Sequence, residues 1–73
     1  MQELDLSGLK CPMPVLRTQK ALAGLHAGDR LAVVTTDPLA SLDLPSFCGQ
    51  KGHRLVSSQQ IDGTRMRFVV EKG

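Results

Sequence analysis

Gly8-Leu9-Lys10-Cys11-Pro12-Met13-Pro14-Val15 marks a change of rhythm in this chain. Upstream the residues alternate. Leu4 and Leu6 are apolar and Glu3 and Asp5 polar, the period-two pattern of a short half-buried strand. Ser7-Gly8 is a turn signal. Downstream the period becomes helical: Val15, Thr18, Leu22 and Leu25 fall on one face, with Arg17, Lys20 and Gly24 opposite. Proline is tolerated in a first helical turn, where amides lack intrahelical partners, and it pushes the residue before it out of the α region. The spacing therefore predicts Cys11 as the N-cap and Pro12 at the first helical position. The helix should run from about Pro12 to His26, with Gly28 as its stop.

The same reading extends along the rest of the chain. Leu31 to Thr35 is a continuous apolar run, suited to a central strand. Thr36-Asp37-Pro38 predicts a second helix start, with Asp37 as its cap. Leu39, Leu42 and Phe47 supply its apolar positions, Pro45 predicts a kink or a restart, and Gly52 lies near its end. Arg54 to Gln60 reads as a third strand. Asp62-Gly63 reads as a tight hairpin turn. Arg65 to Glu71 reads as a fourth strand, with Met66, Phe68 and Val70 on one face. The order β-α-β-α-β-β implies an α+β two-layer sandwich. Two right-handed crossovers followed by a hairpin give a mixed four-stranded sheet with both helices on one face. No repeat or linker interrupts it, so residues 1–73 are expected to form a single domain.

Composition narrows the function. Of 73 residues, 41 % are hydrophobic and 22 % charged, the balance of a folded chain rather than a disordered one. Phe47 and Phe68 are the only aromatics and the net charge is +2. That argues against a base-stacking platform or a strongly basic nucleic-acid surface. No apolar run reaches the length of a membrane span, and Met1 to Gly8 does not read as a signal peptide. A cytoplasmic location is expected, with Cys11 and Cys48 as reduced thiols. Their spacings relative to His26 and His53 match no zinc pattern.

Cys11 is the residue whose placement suggests chemistry. A thiol at a helix N-terminus faces the positive end of the macrodipole, worth about 0.3–1 kcal/mol, or less than one pKa unit. Lys10 beside it, and Arg17 or Lys20 further along, would add to that field, and thiolate character makes a cysteine reactive. Pro14 occupies the position at which a Cys-x-x-Cys motif has its second thiol, so a disulfide cycle within the motif is excluded. A lone accessible thiol can instead hold a sulfur adduct. From spacing alone the alternative stays open that Cys11 is a buried small hydrophobe. His26 lies roughly 20 Å away along the helix and nothing identifies an oxyanion hole, so a Cys–His pair is poorly supported. Cys48, beside Phe47, reads as buried. His53 reads as a surface or capping residue, and Asp62 as a turn residue. Arg65 and Arg67 read as a solvated face that is also a candidate docking surface.

Gly8 to Pro14, with its Cys-Pro-x-Pro element, resembles the signature of the TusA/SirA-like sulfur-carrier proteins. Thr36-Asp37-Pro38-Leu39-Ala40, Asp43-Leu44-Pro45-Ser46-Phe47-Cys48, Gly52-His53 and Asp62-Gly63 follow in the family's order, so the resemblance covers nearly the whole chain. It departs at Phe47, where family members often carry tryptophan. The resemblance implies a βαβαββ sandwich similar to the C-terminal domain of bacterial translation initiation factor three. It implies a persulfide on Cys11 and a sulfurtransferase role without a cofactor. Pro12 and Pro14 would hold the turn, Lys10 would stabilise the persulfide anion, and Lys10, Arg17 and Lys20 would contact acidic rims on the partners. Sulfane sulfur would come from a cysteine desulfurase or a rhodanese-type donor and pass to an acceptor protein. The destinations it suggests are 2-thiouridine synthesis in tRNA, molybdenum-cofactor metabolism or sulfur oxidation. A monomer suits such a shuttle. Two other classes stay in view: a nucleic-acid or ribosome-binding module, and a redox or selenium-handling thiol protein with Cys48 as resolving partner.

Overall fold

The most apolar segments of the chain, RLAVVT and MRFVVE, pair at the centre of a sheet whose edges are polar. In the computed structural model, which describes residues 1–73, strand β1 spans Gln2–Leu6, helix α1 Met13–Ala23, strand β2 Arg30–Thr35, helix α2 Ala40–Lys51, strand β3 Arg54–Gln60 and strand β4 Met66–Glu71. The strand order is β1-β2-β4-β3. β1 lies parallel to β2, and β4 runs antiparallel to β2 and β3. This is the expected βαβαββ arrangement.

Register explains the core. Leu4 stands opposite Val33, Leu31 opposite Val70, and Val33 opposite Phe68, so these side chains share one face. Leu22 of α1 and Phe47 and Cys48 of α2 close over Leu6, Leu31, Val33 and Val70 on that face. Ala40 and Leu44 form a second cluster with Phe68. The other face has an apolar strip too: Ala32, Val34 and Val69 are buried. Arg67 reaches across β2 to Glu3 at 3.4 Å, and Arg30 pairs with Glu71 at 3.2 Å. The stems of these long side chains cover the strip. Arg67 is therefore tied into the sheet rather than freely solvated, and Arg65 binds Asp62 at 2.7 Å.

Several local expectations are corrected. Helix α1 begins at Met13 with Pro12 as its N-cap, so Cys11 stands one residue before the cap. The Lys10 carbonyl accepts the Met13 amide at 2.8 Å, closing a turn over residues 10–13 that the helix must follow. The Cys11–Pro12 peptide bond is cis. α1 also ends early, at Ala23, because Gly24 and Leu25 donate to Ala21 and Leu22 in a tightened last turn. Gly28, with φ +90, belongs to the connection into β2, where its amide donates to the Lys72 carbonyl at 2.9 Å.

Asp37 is not the N-cap of α2; Leu39 is. Asp37 instead caps the turn before the helix, its Oδ1 accepting the Leu39 amide at 3.0 Å. α2 runs through Pro45 as one element. The acceptor that Pro45 leaves without an amide is the carbonyl of Ser41, an exposed residue that water can serve. Finally, residues 61–65 form a wider loop in place of a two-residue turn, and Gly63 is not left-handed. The Asp62 carboxylate organises it by accepting the amides of Thr64 and Arg65, both at 2.9 Å. Those bonds and Arg65 hold the Asp62 carboxyl down at about 2.

Candidate functional site

Parallel pairing of β1 with β2 decides where the candidate site lies. Leu6 stands opposite Thr35, so the loops that follow the two strands leave the sheet at the same end. The Gly8 amide donates to Thr36 Oγ1 at 2.8 Å and fastens one loop to the other. The starts of α1 and α2 are thereby brought side by side, with Cys11 between them.

Cys11 is exposed. It lines two grooves. One, of about 390 Å³, runs along Gly8, Leu9, Lys10 and the Thr36–Leu39 loop. The other lies between the helices, where Cys11 and Pro12 face Gln19 of α1 and Asp43, Phe47 and Lys51 of α2. The sulfur thus borders two surfaces at once and is open to a macromolecule from either side.

The local electrostatics reverse the sequence expectation. The Cys11 thiol is held above its ordinary value, chiefly by the Asp43 carboxylate across the groove, then by partial desolvation and by the charge of Asp37. The α1 terminus offers few donors against this. Pro12 and Pro14 have no amide hydrogen, and Met13 donates to Lys10. That leaves Val15 as the first-turn amide without a backbone acceptor. The prolines that fix the turn also strip the terminus of most of its anion-binding capacity.

Of the residues singled out in the sequence, Cys11, Lys10 and Pro12 come together at this end. Pro14 is buried under the first turn of α1, where its carbonyl accepts the Thr18 hydroxyl at 2.7 Å. Arg17 and Lys20 are not at the site. They border a separate groove with Leu4, Leu6 and Ala21 over β1. Cys48 is in the core at 2 % exposure, its thiol pushed up by burial. His26 is exposed beside Asp29. His53 packs against Phe47 with ring centroids 5.5 Å apart and planes tilted by 39°, and its Nδ1 accepts the Gly73 amide.

Asp43 and the buried side of Asp37 are the neighbours that sequence reasoning missed. An acid in the first turn of a helix reads as a complement to the helix dipole. Nothing in a linear pattern shows that it faces a cysteine 32 positions earlier. Asp37 is 9 % exposed, and its Oδ2 is buried with no hydrogen-bond partner.

Comparison with known proteins places this arrangement. The family model described as sulfurtransferase TusA matches residues 2–72. A protein of Neisseria meningitidis serogroup A, named as a candidate sulfur carrier, is 48 % identical over 71 residues, 97 % of this chain and 96 % of its own length. The sulfur carrier protein TusA of Allochromatium vinosum is 41 % identical over 71 residues, 97 % of this chain and 92 % of its own. The crystal structure of a SirA-like protein from Desulfitobacterium hafniense superposes with a TM-score of 0.88 at 27 % identity, covering 100 % of this chain and 99 % of its own.

Proposed function

Because the chain belongs to the TusA family of sulfur carriers, we propose that Cys11 is its carrier residue and that sulfur travels on it as a persulfide. The observation that carries this reading is the contrast in access between the two thiols: Cys11 is open on two grooves, and Cys48 is sealed in the core. In the loading step Cys11 Sγ attacks the terminal sulfur of a donor persulfide, R–S–SH. The Cys11 S–S bond forms and the donor's S–S bond breaks. The donor leaves as a thiol, R–SH, taking the proton that Cys11 gives up, so no outside oxidant or reductant is needed. Unloading is the same exchange with an acceptor thiolate as nucleophile.

The donor class is a cysteine desulfurase or a rhodanese-type protein, and the acceptor is a second protein that takes the terminal sulfur. The chemistry is that of a sulfurtransferase whose own residue is reloaded after each transfer, acting as a cytoplasmic monomer, a single domain over residues 1–73. Thiouridine synthesis in tRNA, molybdenum-cofactor metabolism and sulfur oxidation are the destinations open to it. Both partners must reach one sulfur, so their footprints overlap at the Cys11 end. Leu39 and Leu42, 49 % and 69 % exposed, add apolar surface at the start of α2. Lys10 lies in the first groove, where a persulfide anion would meet it. No helix is long and apolar enough to cross a membrane.

The test is intact-protein mass after incubation with a cysteine desulfurase and cysteine, or with rhodanese and thiosulfate. A reductant-sensitive gain of one sulfur is expected in the wild type and in Cys48→Ser and absent in Cys11→Ser. A gain that persists in Cys11→Ser, or no gain from either donor, defeats the reading.

A further inference from the structure

The acids of this chain divide into those held by another side chain and those that are not; Asp37 takes only the backbone amide of Leu39. Glu3, Asp62 and Glu71 pair with arginines, and Asp29 lies against His26. Asp5 accepts both the amide and the hydroxyl of Ser7. Two of the seven acids remain, Asp37 and Asp43, and neither makes an ion pair. Both are set around Cys11: Asp37 lines one of its grooves and Asp43 the other. Asp37 has a buried Oδ2 with nothing bonded to it. The cations facing Cys11, Lys10 in the first groove and Lys51 in the second, pair with neither carboxylate.

This arrangement opposes the chemistry asked of the sulfur. A thiolate or persulfide anion beside unpaired carboxylates is repelled, and α1 offers few amides to offset that repulsion. The free protein therefore keeps a sulfur nucleophile in its less reactive form. The missing positive charge has room to enter, because the groove that holds Asp43 is open to solvent beside Cys11.

We propose that a protein that exchanges sulfur with Cys11 brings a cationic side chain into the α1–α2 groove to pair with Asp43, and that this pairing frees the Cys11 sulfur to react. Asp43 is then a positioning residue that acts through Cys11. It restrains the thiol when the protein is alone and recruits the activating charge in the complex, so the cargo is protected from small electrophiles in transit. The inference rests on the persulfide reading of Cys11 and specifies how that site is switched on. A partner using it carries an arginine or lysine beside its own reacting sulfur.

The experiment compares wild type, Asp43→Asn and Asp43→Glu in two assays. The first is alkylation by iodoacetamide across pH, followed on the Cys11 peptide by mass spectrometry. The second is the initial rate of persulfide loading from whichever protein donor loads the wild type, a cysteine desulfurase with cysteine or rhodanese with thiosulfate. Asp43→Asn should be alkylated roughly three- to tenfold faster at pH 8 yet load more slowly from the protein donor. Asp43→Glu should follow the wild type in both. The opposed directions are the signature. Equal alkylation profiles for wild type and Asp43→Asn, or faster loading of Asp43→Asn from the protein donor, would overturn the inference. Alkylation needs no carrier activity, so a failure here in a wild type that loads normally leaves the persulfide reading standing.

Discussion

Cys11 and Cys48 are the same side chain in two surroundings, and both thiols are held above their ordinary value for unlike reasons. Burial does it for Cys48, which sits among Leu22, Phe47 and Val70 without solvent to stabilise its anion. A neighbouring carboxylate does it for the exposed Cys11. The first cause is built into the core and can be removed only by opening the fold. The second is chiefly one carboxylate at the surface, and an opposite charge can offset it. A thiol meant to be switched belongs in the second setting.

The largest expected effect is in accessibility. With a thiol reagent such as Ellman's, one cysteine per chain should react in the native state, and the second only through an opening of the fold. A domain of ordinary stability, about 5 kcal/mol, slows the second by at least about a thousandfold. Two rapidly reacting thiols in the folded protein would erase the contrast. Second comes stability. Cys48→Ser places a hydroxyl in the apolar core and should cost about 1–3 kcal/mol in urea unfolding. Cys11→Ser, at the exposed site, should stay within about 0.5 kcal/mol of wild type. A third measurement asks whether Cys48 packs as a core residue of its helix. Leu44→Ala, one turn before it and fully buried, should lose about 2–5 kcal/mol, while Leu42→Ala on the exposed side of α2 should lose little.

The smallest effect is in pH. Both folded thiols release their protons above 9.0, the ordinary thiol value, so the unfolded chain loses its protons first. The stability tied to the neutral thiols is complete below pH 9.0 and falls as pH rises through the folded values. Cys48 carries most of it, since Cys11 is screened by solvent. The urea midpoint should therefore drop between pH 8 and pH 10 in wild type and drop less in Cys48→Ala. Equal slopes in the two proteins would remove Cys48 from the account.

The local rhythm of the chain was legible because its causes are local. Period-two alternation at Leu4 and Leu6, the unbroken run Leu31 to Thr35 and the helix end near Gly52 each act over a few residues. Elsewhere a hydrogen bond overrides the residue-type signal, at Gly28 from far along the chain and at Asp62 from its near neighbours. Gly28 carries the signal of a helix stop, but its amide donates to Lys72, 44 positions away. Asp62-Gly63 looked like a tight turn, but the Asp62 carboxylate draws in Thr64 and Arg65 and widens the loop.

The sequence by itself determined the order of elements, one central strand, and the position of Cys11 on a proline-fixed turn between a strand and a helix, whereas the central place of β4 came from the sheet pairing. Only the tertiary structure decided what that thiol feels. Parallel pairing of β1 and β2 sets the starts of α1 and α2 together, and this brings Asp37 and Asp43 beside Cys11 while Arg17 and Lys20 face another groove. The physical reason is that charges act through space, with an energy that falls with distance and dielectric. Separation along the chain does not enter. A lysine one residue away can matter less than an aspartate 32 residues on.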